Sequence, residues 1–136
     1  MTIQECYQKL GGDFAGVEQR LRSVSLIKRF ITKFLEDDSF SNLFQAMQAG
    51  KREEAFRAAH TLKGVCANLC FDRLLASAGQ LTELLRPETG TIPGDAALLL
   101  ETVAQDYEET VSAIRAYLDD DASCQDPPKP FCLQWR

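Results

Sequence analysis

His60 is the only histidine of the chain, and it stands in the run Ala59-His60-Thr61-Leu62-Lys63-Gly64. An imidazole can serve as general base, metal ligand or nucleophile, and its surroundings decide which. Here a lysine follows three residues on and a glycine four residues on. Lysine is a mobile point charge suited to phosphoryl oxygens. An imidazole, with an ordinary pKa of ~6.5, is mostly neutral at neutral pH and keeps a lone pair for attack at phosphorus. The five cysteines offer less chemistry. Cys6, Cys66, Cys70, Cys124 and Cys132 are odd in number and contain no C-x-x-C pair, so free thiols are expected. Cys66 and Cys70 are four apart and are expected to be small apolar core residues.

Helical geometry places these residues relative to one another. With His60 set at zero and a turn of about 100° per residue, Ala55, Ala58, Leu62, Val65, Cys66 and Leu69 fall between roughly 140° and 240°. That apolar arc faces the core, which leaves His60 pointing at solvent. Beside it lie Phe56 near ~320°, Lys63 near ~300°, Ala67 near ~340°, Gly64 near ~40° and Arg57 near ~60°. The histidine thus has two cations within a turn and small side chains around it. A transient phosphohistidine needs such a setting. Gly64 is informative because a mid-helix glycine costs about 1 kcal/mol relative to alanine. It faces away from the core, so close helix packing does not account for it. Cys66 and Cys70 sit about 80° to 120° round the helix from His60, which rules out a metal site shared with it.

The elements that must position this helix are legible as periodic apolar stripes. Thr2 with Glu5 fits a capping box opening a short helix that stops at Gly11-Gly12. A second helix is predicted over roughly Phe14 to Leu35, with Leu21, Val24, Ile27, Phe30, Ile31 and Phe34 as its stripe. Asp37-Asp38-Ser39 reads as a stop and a new cap, followed by a helix to Ala49-Gly50. Lys51 to Leu69 is one long helix carrying His60. Asp72 recaps a helix to about Arg86, and Pro87 to Gly94 is a loop by composition. Asp95 caps a last helix to about Leu118. No strand pattern stands out. The expected fold is all-α, an antiparallel four-helix bundle with short additional N-terminal helices. The bundle domain is expected over residues 1–118, followed by an acidic, proline-containing tail over 119–136, in which Phe131, Leu133 and Trp135 are apolar.

Composition bounds the function classes. With 15 basic and 20 acidic residues the net charge is −5, which speaks against nucleic acid as partner. No apolar run approaches the roughly 20 residues needed to cross a bilayer. The N-terminal residues carry no charged leader or apolar signal core, and a cytoplasmic monomer is expected. No cofactor is implied. A kinase would need an ATP site, and no Gly-rich phosphate loop follows a strand. A hydrolase would need a nucleophile and an orienting acid around a pocket, which an outward-facing helical histidine does not offer.

The run His60-Thr61-Leu62-Lys63-Gly64 followed by Ala67-Asn68-Leu69 resembles the signature of the histidine phosphotransfer (HPt) domain family of bacterial phosphorelays. The helix layout over roughly residues 14–118 is similar to that family as well. The resemblance implies a phosphoryl carrier without kinase activity, taking the group from an aspartate of one receiver domain and passing it to another. Such receivers belong to response regulators or hybrid sensor kinases. By match to the motif, His60 is the phosphoacceptor, Lys63 stabilises the phosphate and Gly64 gives docking clearance. Phe56, Arg57 and Ala67 border the docking face, where Lys51 and Arg52 add positive charge. Two departures stand out. Cys70 occupies the helix bend where the family usually has glycine, and the imidazole-orienting position falls at Thr82, with Gln80 one face away. The competing reading is a four-helix adaptor whose His60 is never phosphorylated.

Overall fold

Residues 1–86 and 92–123 are described in the computed structural model, with side chains through residue 120. Among them the chain forms seven α-helices and no strand: α1 Ile3–Leu10, α2 Phe14–Leu21, α3 Val24–Phe34, α4 Ser39–Gln48, α5 Arg52–Leu69, α6 Asp72–Leu84 and α7 Asp95–Ser123. Helices α4 to α7 pack in sequence, each on the next, and form the bundle. Helices α1 to α3 wrap one end of it, α1 lying along α7. Phe131, Leu133 and Trp135, Cys124 and Cys132, and most of the Pro87–Gly94 loop lie outside the described residues.

Local signals account for most boundaries. The Thr2–Glu5 capping box forms in both directions, Glu5 N–H donating to Thr2 Oγ1 at 3.1 Å and Thr2 N–H to Glu5 Oε1 at 2.8 Å. Helices α1 and α4 end on left-handed glycines, Gly11 (φ 76°) and Gly50 (φ 72°), each followed by a paired set of backbone bonds back into the last turn. The expected Phe14–Leu35 helix is broken in two. Arg22 takes a left-handed φ of 62°, and Ser23 then caps α3 by accepting the Leu26 N–H at 3.2 Å. No glycine marks the break, so the hydrophobic period ran through it. The break turns Val24 and Phe30 outward, 47% and 37% exposed, while Ile27, Ile31 and Phe34 stay buried.

The last helix also departs from expectation, running to Ser123 rather than stopping near Leu118. The aspartates at 119–121 had suggested a terminus. Instead Asp120 pairs with the N-terminal amine of Met1, and Ala113, Ile114 and Tyr117 are buried. Cys6 of α1 donates to the Ala113 carbonyl, so α1 lies along the C-terminal half of α7. At the start of α6, Asp72 is the first helical residue rather than the cap, which is Phe71.

One end of the bundle is organised by a run of aromatic contacts. Phe14, Tyr7, Phe71, Phe34, Tyr107, Phe40 and Phe44 follow one another with ring centroids 4.4 to 6.4 Å apart. The chain of rings crosses from α2 and α1 through the α5–α6 turn to α3, α7 and α4. The Tyr7 hydroxyl donates to the Leu69 carbonyl at 2.8 Å, satisfying one of the orphan carbonyls at the end of α5. Burial of this hydroxyl, with the neighbouring thiols of Cys70 and Cys6 adding to it, pushes its pKa far up. Cys6 and Cys66 are buried free thiols, as expected, with pKa values pushed up by burial to about 11 and about 12.

Cys70 is not a core residue. It is half-buried and holds a left-handed φ of 57°, closing α5 while Phe71 N–H donates to Cys66 and Cys70 N–H to Ala67. Glycine takes this conformation without the Cβ penalty of about 1–2 kcal/mol, part of which its greater freedom in the unfolded chain offsets. Cys70→Gly should therefore raise stability by up to about 1 kcal/mol in a denaturant melt, whereas β-branched Cys70→Val should lower it. Equal midpoints for all three proteins would mean that the bend carries no strain.

Candidate functional site

The site is built on α5, and its orientation comes from five buried residues, Ala55, Ala59, Leu62, Cys66 and Leu69. Ala58 and Val65, expected in the core, are only half-buried, and Ala59 is buried in their place. The core direction is thus about 30° round from the expected one, so that Gly64 rather than His60 lies diametrically opposite it. His60 remains exposed. A Cβ built on Gly64 would meet nothing within 4 Å, so no neighbouring helix requires the glycine. The space beside the imidazole is open.

The second wall of the site comes from α6, and Arg52 brings it there. From the first turn of α5 its guanidinium donates to the carbonyls of Leu84 (3.2 Å), Leu85 (3.2 Å) and Arg86 (2.6 Å). These carbonyls lie at and just beyond the end of α6, whose own last turn has no basic residue. Arg52 is therefore a structural clamp between antiparallel helices. Because the clamp fixes the end of α6, Arg86 lies over the Phe56 ring, 5.7 Å from its centroid.

Phe56 in turn stacks on the imidazole of His60, with ring centroids 6.0 Å apart and planes within 1°. The sequence had placed Phe56 as an exposed phenyl at an interface. In the fold it is half-buried between residues of the site itself. Thr82 and Gln80, the expected partners of the imidazole, do not reach it. Thr82 is 1% exposed and its hydroxyl donates to the Ala78 carbonyl at 2.7 Å, while Gln80 is exposed. Among the described residues His60 has no hydrogen bond, and its ring contact is with Phe56.

The charges are fewer than the sequence suggested. Arg57 pairs with Glu53 at 3.2 Å and Lys51 with Glu54 at 3.8 Å, both along α5 and both exposed. Lys63 is half-buried, in no ion pair among the described residues, and within electrostatic range of Glu83. Arg86 is held by Glu83 through two bonds, Nε to Oε1 at 3.0 Å and Nη2 to Oε2 at 2.9 Å. These bonds, with the charges of Arg86 and then Lys63, hold the Glu83 carboxyl below its ordinary pKa. Glu83 and Arg86 were not legible as site residues. Their i, i+3 spacing signals only a surface pair, and their proximity to Phe56 is created by the Arg52 clamp.

Beyond Gly64, on the side away from α6, lies an open groove of about 480 Å³. Leu21, Phe30 and Val65 give it apolar walls, and Arg20, Lys33, Asp37 and Asn68 line it as well. Ala67 is half-buried on the side of α5 that carries Lys63. Among the described residues no helix is long and apolar enough to cross a membrane.

Comparison with known proteins yields one assignment. No curated protein and no solved structure matches the chain significantly. The model of the Hpt domain, a helical family of phosphorelay carriers, matches residues 26–120, from the first turns of α3 to near the end of α7. An exposed histidine on a long bundle helix, with a lysine and an unobstructed glycine in the next turn, thus lies inside a match covering most of the chain, and the protein belongs to the Hpt domain family.

Proposed function

We propose that His60 carries a phosphoryl group between aspartates of two receiver domains. The observation that carries this reading is the exposed imidazole beside open space at Gly64, on a helix whose core face is fully committed. A neutral ring nitrogen attacks the phosphorus of an aspartyl phosphate. The P–O bond to the carboxylate breaks, a P–N bond forms, and the proton of the ring leaves to water. Donation runs the same steps in reverse. Nothing in this exchange needs a nucleotide, and the domain acts as carrier rather than kinase.

Each neighbour has a task in that exchange. The Phe56 ring holds the imidazole plane, so that the attacking nitrogen meets an incoming phosphorus without first being ordered. Lys63 supplies charge to the phosphoryl oxygens as the leaving carboxylate departs. Arg86 is close enough to the Phe56 ring to add a second cation when it swings from Glu83. The groove beyond Gly64 offers apolar surface for the body of the receiver, with Arg20 and Lys33 facing the acidic rim of its phosphorylation pocket.

His60→Gln should abolish acid-labile phosphorylation by a phosphorylated receiver and leave the helical circular dichroism spectrum intact. Label persisting on that variant would assign the phosphate elsewhere, and absence of label on the wild type would leave a four-helix adaptor. Lys63→Ala removes a charged hydrogen bond of about 1.5–3 kcal/mol, less where solvated. Transfer should slow by about 10- to 100-fold in quench-flow assays with no change in folding. Unchanged rates would make Lys63 a solubilising residue.

Gly64→Gln separates docking from folding. The substitution meets open space and replaces a poor helix former, so the melt should move up by several tenths of a kcal/mol. Transfer should fall, because the added side chain occupies the approach to His60. An earlier melt combined with normal transfer would show that the glycine serves the fold and not the encounter.

A further inference from the structure

Glu83 is placed where a helix does not want it. It lies in the last turn of α6, at the negative end of the helix, where carboxylates are unfavourable and cations are favoured. Arg52 already satisfies the carbonyls there from α5. The carboxylate instead engages Arg86 through two bonds and lies in the field of Lys63. An exposed i, i+3 pair elsewhere on a surface would mean little. Here Arg86 is also the residue over Phe56, whose ring stacks on His60.

We propose that Glu83 is a resident competitor for the cations of the site, occupying Arg86 and drawing on Lys63 so that phosphohistidine is kept labile and passes its phosphoryl group on. The proposal rests on the carrier reading given above. A phosphoryl group on His60 brings close to two negative charges beside Phe56 and calls on the same two cations. With Glu83 present they are shared between two anions, and carboxylate and phosphoryl oxygens repel. On donation the P–N bond breaks, a P–O bond to the receiver carboxylate forms, and the ring nitrogen regains a proton from water. Arg86 then returns to Glu83. The pair is open to water, so the effect is a few-fold adjustment of lability rather than a switch.

The test uses the full chain phosphorylated with phosphoramidate, following phosphohistidine loss by intact mass and phosphorus magnetic resonance. Glu83→Gln should lengthen the lifetime about three- to tenfold at about 0.05 M salt, and the gain should shrink at about 0.5 M, where screening is short-ranged. Glu83→Asp should stay close to wild type. Glu108→Gln, the same charge change on exposed α7, should match wild type. In an Arg86→Gln background the effect of Glu83→Gln should be reduced, which separates action through Arg86 from a general change in charge. Equal or shorter lifetimes for Glu83→Gln, on a wild type labelled at His60, would overturn this inference and leave the carrier reading standing. A wild type that takes no label on His60 would overturn both.

Discussion

Everything at the site depends on α5 being held at both ends. At its start, Arg52 reaches across to three carbonyls at and just beyond the end of α6. At its end, the Leu69 carbonyl accepts from Tyr7 of α1, and the Cys70–Phe71 bend closes the last turn while inserting Phe71 into the chain of aromatic rings. A helix with only five fully buried residues over eighteen positions is loosely specified in rotation by its own sequence. The two end anchors remove that freedom. The face bearing His60, Lys63 and Gly64 is exposed because the anchors leave it nowhere else to go.

The same anchoring explains how charge is distributed. The chain is acidic overall, and most cations on α5 are neutralised locally or used structurally. Lys63 lies in the turn after His60 and Arg86 over the Phe56 ring, and both feel the single carboxylate of Glu83. The site is therefore not a broad basic patch but a small set of two cations sharing one carboxylate. Such an arrangement suits a group that must be accepted and then released, because strong fixed cations would hold a phosphoryl group too well. The Phe56 ring contributes order without charge: it fixes the imidazole plane and gives Arg86 a surface to rest on.

The N-terminal helices add a separate structural element. Helices α1 and α2 precede the region matched by the family, yet α1 packs on the C-terminal half of α7 and supplies Tyr7. Arg73 ties the two regions together, donating to the Lys9 carbonyl and pairing with Glu109 at 2.7 Å. The end of α5, and with it the direction of the helix, is thus partly set by residues outside the core bundle.

The sequence alone determined that this is an all-helical bundle, that His60 faces out, and that Lys63 and Gly64 flank it, because these follow from the 3.6-residue period and the strong cost of glycine within a helix. It also showed the caps at Thr2 and Gly11, whose signals are local. It did not show the break at Arg22, where a non-glycine residue takes a left-handed turn and leaves no mark in the pattern. Nor did it show that Thr82 is buried, that Phe56 stacks on the imidazole, or that Arg86, held by Glu83, lies over the Phe56 ring. Glu83 and Arg86 stand more than twenty positions from His60 in the chain, and Arg86 reaches Phe56 only across a helix–helix contact. Their register is decided by a clamp between one arginine and three carbonyls, a long-range geometry that no local period encodes.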